Sequence, residues 1–280
     1  MTTTTPNAVT PKAQPRPGAP SGSASAFTTL SAVAIRTGLK IARSPQILGI
    51  AIVQSVLFLL MFRYVLGGAI GVPGLSYVDF LVPGFVVSGL LFTAGGGSVA
   101  VAEESASGLY DRLRSLPVPS VAVLAGRAVT DAALMLVVAL VTLGVGFAVG
   151  FRTGAAPGHW LLAIGLLVVY ALALSGIFVW LGLVSGSAQA AQGLSILAVP
   201  FSFLSSAFVP VETMPGVLQA FAAWQPLTFM VNTWRGLLLG DPVTATFGHS
   251  LTFYLVGSLV WSAALILLAA PLVLHAYRKD

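Results

Sequence analysis

No cysteine occurs in the 280-residue chain, which excludes disulfides, thiolate metal sites and cysteine nucleophiles. Histidine is nearly as scarce, and His159, His249 and His275 are too scattered to form a metal cluster by spacing. Charge is the largest deficit. Charged residues make up 8% of the chain and hydrophobic residues 57%, with a mean hydropathy of +0.96; ordinary soluble domains carry about 25% and 45–50%. These proportions argue for a membrane protein. A phosphate loop of the form G-x-x-x-x-G-K-S/T is also missing, so the chain does not hydrolyse ATP by that route. No Ser/His/Asp set or carboxylate pair can be assembled at one membrane depth either.

What is present is a series of apolar segments. Residues 1–26 are rich in Thr, Pro, Ser, Ala and Gly without apolar periodicity, and predict a disordered tail. From Phe27 to Ser44 an amphipathic pattern appears, with Arg36, Lys40 and Arg43 forming a basic stripe at i, i+4, i+7. Pro45 ends it. This predicts a helix lying on the membrane surface. Six spans are then expected, at about 47–66, 78–101, 124–150, 159–184, 192–210 and 248–274. Placing the N-terminus in the cytoplasm puts ten of the 13 basic residues inside and leaves Arg63, Arg152 and Arg235 outside. That satisfies the positive-inside rule with both termini cytoplasmic. The net charge of +5 is thus an orientation signal, and no nucleic-acid partner is expected.

Two segments break the pattern. Residues 102–117, AEESASGLYDRLRSLP, gather Glu103, Glu104, Asp111, Arg112 and Arg114 in a chain with few charges elsewhere. Leu109, Leu113 and Leu116 recur at i, i+4, i+7, and Asp111 and Arg114 can pair on the opposite face, so Gly108 and Pro117 bound a short amphipathic helix suited to a partner's groove. Residues 208–240 are too apolar for a water-filled loop. There Pro210, Pro215 and Pro226 cut pieces of about ten residues, too short to span but suited to re-entrant or interfacial helices. Trp224 and Trp234 fit an interfacial belt, and Glu212 and Arg235 form a candidate surface pair. Inside the spans Gln54, Gln189 and Gln192 are the notable polar groups. Asp79 and Asp131 fall near span ends and read as hydrated; the shortage of buried acids argues against an ion-coupled carrier.

Three stretches carry a family resemblance: FLVPGFVVSGLLF (80–92), AEESASGLYDRLRSLPVPSVAVLAGRAVTD (102–131) and FLSSAFVPVETMPGVLQAFAAWQPLT (203–228). With Arg43 and Pro45 ahead of the first span, they resemble the membrane subunit of ABC-2 type exporters, most closely the daunorubicin-resistance type permeases of actinobacteria. The resemblance covers nearly everything after residue 27. It implies an all-α polytopic membrane domain over 27–280 with six transmembrane helices, an N-terminal connecting helix at 27–44, a cytoplasmic coupling helix at about 103–116, and short re-entrant helices around 211–240, where Pro210, Glu212, Met214, Pro215, Pro226 and Arg235 fall.

The same resemblance implies that Glu103, Glu104, Gly108, Leu109, Asp111, Arg112, Leu113 and Arg114 meet an ATPase subunit, with Arg36 and Lys40 as secondary contacts. The expected assembly is two ATP-binding subunits, which hold the ATP and Mg, with two permeases, identical or homologous, in the plasma membrane. This chain is expected to bind no cofactor and no metal. The expected function is export of a hydrophobic or amphiphilic compound, antibiotic or lipid-like. Glycolipid or polysaccharide export, an ion-coupled carrier and a membrane scaffold are the alternatives.

Overall fold

The computed structural model describes residues 26–279 apart from 44, 68–70, 73 and 241–247. Residues 1–25 of the expected tail lie outside the described residues. Apart from a single bridge between Val72 and Leu75, the described chain is helical.

Helix α1 (Ala26–Ala42) covers most of the amphipathic stretch expected to be helical. It lies against the start of α5 (Ser120–Ala148), where Gly126 leaves room for the Leu30 carbonyl and Thr130 Oγ1 donates to the Ala34 carbonyl at 3.3 Å. Phe27, Ile35 and Leu39 stay exposed on its other side, an apolar face suited to lipid. Helix α2 (Pro45–Met61) follows and ends in a π turn over Phe62–Leu66.

Helix α3 (Tyr77–Ala106) is the axis of the molecule. Ser76 caps it, accepting from the Asp79 amide at 3.2 Å and donating to the Asp79 carboxylate at 2.6 Å. Residues 80–91 are buried without a break, as expected of a helix surrounded on all sides. Its neighbours are α5, α6 (Pro157–Val184), α7 (Ala188–Ser195) and α10 (Pro226–Leu239). Small residues permit the close crossings. A Cβ on Gly182 of α6 would stand 2.5 Å from the Ser98 carbonyl, and one on Gly84 would collide with the backbone of Ala207.

Among the described residues four helices are long and apolar enough to cross a membrane: α3, α5, α6 and α11 (Leu251–Lys279). The first expected span is a shorter apolar helix, Gly49–Val65. The fifth, expected as one span over 192–210, is instead two short helices, α7 and α8 (Ala198–Phe203), followed by turns. Pro200 accounts for the break. It has no N–H for the Ile196 carbonyl, which accepts from Val199 at 3.0 Å instead. An apolar run reads as one unbroken helix by length alone; a single proline near its middle divides it in two.

The 208–240 segment divides at the expected prolines. Pro210 precedes a 3₁₀ turn (Val211–Thr213), Pro215 precedes α9 (Gly216–Trp224), and Pro226 is the first residue of α10.

The core has two parts. The larger surrounds α3 from Tyr77 to Ala94, with α10, the start of α6 and the 207–208 turn. The smaller gathers Val101, Tyr110, Val123, Leu183 and Tyr277, joining the ends of α3, α6 and α11 to the start of α5. Helix α4 (Leu109–Arg114) sits on this second cluster.

Candidate functional site

The charged segment does not form one helix over 103–116. Helix α3 continues to Ala106, and Gly108, at φ 71° in the left-handed region open to glycine, turns the chain into α4. Glu103 and Glu104 therefore belong to the end of α3, and α4 alone carries Leu109, Asp111, Arg112, Leu113 and Arg114. The expected Asp111–Arg114 pair is present at 3.4 Å. Arg112 and Asp111 are exposed, while Leu113 leans on the smaller core.

Tyr110, which sequence reasoning missed, anchors α4. It is buried edge-on against Tyr277 with ring centroids 5.8 Å apart, and its hydroxyl donates to Glu104 Oε2 at 3.4 Å. Burial pushes the phenol well above the ordinary tyrosine range, so at neutral pH it is a neutral donor. Arg114 adds a cation over the Tyr277 ring at 5.2 Å. Together these contacts seat α4 on the last turns of α11.

Behind α4 lies a buried ionic cluster. Arg127 on α5 reaches Glu104 Oε2 with Nη1 at 2.5 Å and Asp131 Oδ2 with Nε at 2.9 Å, and its Nη2 donates to the Gly97 carbonyl at 3.2 Å. All three side chains are at least 90% buried. Asp131 is thus not a hydrated residue at a span end. Helices α3 and α5 enclose it, and its i, i+4 spacing from Arg127 was the available signal. Two buried carboxylates also weaken the argument against an ion-coupled carrier that rested on their absence. Glu104 likewise faces into the fold, away from any docking surface.

At the opposite end of α3, the segment around 208–240 holds the other sequence candidates. Pro210 is buried, Met214 and Pro226 half-buried, Glu212 and Pro215 exposed. Arg235 is fully buried and not a surface residue. Its Nη2 donates to the carbonyls of Phe80 at 2.9 Å and Ser206 at 3.0 Å, its Nη1 to Asn232 Oδ1 at 2.7 Å, and its guanidinium lies 3.9 Å from the Phe80 ring centroid. Trp234 is also buried and gives its Nε1 hydrogen bond to the Ala163 carbonyl at 2.8 Å, so of the two tryptophans only Trp224 is exposed as a belt residue would be. On α1, Arg36 is exposed; the side chain of Lys40 lies outside the described residues.

Between these two ends a cavity of about 750 Å³ opens along α2, α3, α5, α7 and α8. Gln54 and Gln192, singled out in the sequence, both line it, as do Glu103, Glu104, Arg127 and Asp131. Among the described residues no group of side chains could hold a metal ion.

Residues 28–239 match the family described as ABC-2 type transporter. The chain is 32% identical over 233 residues to the daunorubicin resistance ABC transporter permease protein DrrB1 of Streptomyces coeruleorubidus, covering 81% of this chain and 78% of that one. It is 30% identical over 236 residues to the probable doxorubicin resistance ABC transporter permease protein DrrC of Mycobacterium tuberculosis, covering 82% and 80%. Identity to the inner membrane transport permease YadH of Escherichia coli is 25% over 226 residues, covering 75% and 84%.

Proposed function

Because this chain belongs to the ABC-2 type transporter family, we propose that it is the membrane subunit of an exporter that moves a hydrophobic or amphiphilic compound, of antibiotic or lipid-like chemistry, out of the cytoplasm or the inner leaflet. Its partners are two ATP-binding subunits and a second permease, identical or homologous. The complex sits in the plasma membrane and crosses it with six segments per permease, with both termini in the cytoplasm. Family membership and the drug-resistance names of two relatives support the export reading, and the apolar cavity suits an amphiphile better than a sugar polymer.

The observation that carries the mechanism is α4. It projects Asp111 and Arg112 outward while Tyr110 holds it to α11 and to Glu104, whose carboxylate grips α5 through Arg127. A push on α4 thus reaches α11 and α3 by direct contact and α5 through Glu104. The ATPase contacts are Gly108, Leu109, Asp111, Arg112, Leu113 and Arg114, with Arg36 and Lys40 of α1 as secondary contacts. Glu103 and Glu104, set back on α3, serve the cavity and the ionic cluster instead.

ATP and Mg bind the partner subunits, where hydrolysis supplies the driving force. The test is co-purification of the chain with an ABC ATPase and substrate-stimulated hydrolysis by the complex. Failure of the intact chain to bind any such ATPase overturns the reading. Transport in ATP-depleted vesicles that follows a pH or sodium gradient would identify an ion-coupled carrier instead.

A further inference from the structure

The cavity of about 750 Å³ lies in the size range of sites for drug-sized molecules. Its apolar wall includes six phenyl rings: Phe58 near the end of α2, Phe62 in the π turn after it, Phe85 and Phe92 on α3, Phe203 at the end of α8, and Phe208 in the turn that follows. Phe62, Phe203 and Phe208 form a contiguous group, with ring centroids 4.9 to 5.9 Å apart. On one side the cavity is open. Ile50, Phe58, Ile196 and Phe203, between 41% and 67% exposed, border that opening between α2 and the α7–α8 pair.

The charged side chains that line the cavity are Glu103, Glu104, Asp131 and Arg127, all toward the end that carries α4. Three carboxylates against one guanidinium leave two negative charges, and one negative charge remains if the buried cluster holds a proton. Arg127 is committed to both Glu104 and Asp131. Glu103 is exposed, and among the described residues its carboxylate forms no ion pair.

On this charge balance we propose that the cavity is a binding site for amphiphilic cations, with the positive group held at Glu103 and the apolar body among the phenyl rings. The proposal deepens the exporter reading and rests on it for the reason a membrane domain keeps such a cavity. Two effects favour a cation over a neutral molecule of the same shape. A cavity end with net negative charge between low-dielectric walls concentrates counter-ions, and aromatic faces attract a cation stripped of part of its water. An anion meets the opposite potential and would have to compete with Glu104 and Asp131 for Arg127.

Tetraphenylphosphonium and tetraphenylborate, ions of the same shape and opposite charge, provide the test. The full-length protein is placed in nanodiscs of zwitterionic lipid and binding is measured against empty nanodiscs. Tetraphenylphosphonium is expected to bind saturably and at least about tenfold more tightly than tetraphenylborate. Glu103→Gln should erase most of that preference, Glu103→Asp should keep it, and added salt should weaken it. Phe203→Ala should weaken both ions alike. Equal binding of the two ions, or a preference unchanged in Glu103→Gln, overturns the proposal.

Vesicles carrying the permease with its ATPase separate this inference from the exporter reading. ATP-driven efflux of amphiphiles irrespective of their charge sinks the cation site and keeps the exporter. Cation binding that depends on Glu103, with no ATP-driven movement of any compound, sinks the exporter and keeps the site.

Discussion

Arg127 and Arg235 are both withdrawn from solvent at the two ends of α3, and the fold accommodates them in different ways. Arg127 sits between two carboxylates and ties α5 to the end of α3 beside α4. Arg235 is met by the Phe80 and Ser206 carbonyls and the Asn232 amide, and lies flat on the Phe80 ring. The first arrangement depends on charge, and it joins α5 to α3 mainly through the Glu104 side chain. The second depends on the directions of donors in a rigid fork, and it pins backbone to backbone. A joint that transmits motion from α4 and a clamp that closes the opposite end would need these different chemistries.

Removing the charge at the first site is the most severe way to test the contrast. Arg127→Ala leaves two buried carboxylates uncompensated and should cost about 3–5 kcal/mol, read as thermal unfolding in detergent. Neutralising the whole cluster with Glu104→Gln, Arg127→Met and Asp131→Asn should recover most of that loss while impairing coupling to ATP hydrolysis. Unchanged stability of Arg127→Ala would mean that water already solvates the cluster.

Lysine substitution sharpens the comparison. Arg235→Lys should cost about 2–3 kcal/mol, because one ammonium cannot reach two carbonyls and an amide at the angles of a guanidinium. Arg127→Lys should cost about half as much, since carboxylates accept a point charge. Equal losses would erase the distinction between clamp and joint.

Smaller effects are expected at α4. Tyr110→Phe removes one long hydrogen bond and should cost about 1 kcal/mol. The sign of its pH dependence follows from the raised phenol affinity for its proton. The folded protein keeps a proton that the unfolded chain starts to release near pH 10. Its stabilising contribution is therefore intact below about pH 10 and declines above it, and Tyr110→Phe should lessen that alkaline loss in denaturation curves.

Joint reversal at Asp111→Arg and Arg112→Asp, both exposed, should change stability by no more than about 0.5 kcal/mol but abolish substrate-stimulated ATPase activity. Retained stimulation would make α4 a surface loop.

Much of the fold is legible in the order of the residues alone. The helix that begins beside Phe27, the long apolar segments, the Asp111–Arg114 pair and the divisions at Pro210, Pro215 and Pro226 follow from periodicity, length and the missing proline N–H. These are local properties of consecutive residues. The ionic cluster is not legible in that way, because Glu104 lies 23 positions from Arg127 and only the packing of α3 on α5 brings them together. The depth of Arg235 and Trp234 is hidden for the same reason: an arginine or tryptophan near a predicted boundary looks interfacial until neighbouring helices cover it.

Hydropathy and spacing by themselves determined that this protein belongs in a membrane, where its charged segment lies, and where most of its helices stop. Tertiary structure alone decided which charges face inward and which remain open to a ligand. Neighbours far apart in sequence set the solvation and partners of each ionisable group. Glu103 and Glu104 show this most simply: adjacent in the chain and the same in chemistry, one is exposed at the cavity and the other is buried against Arg127.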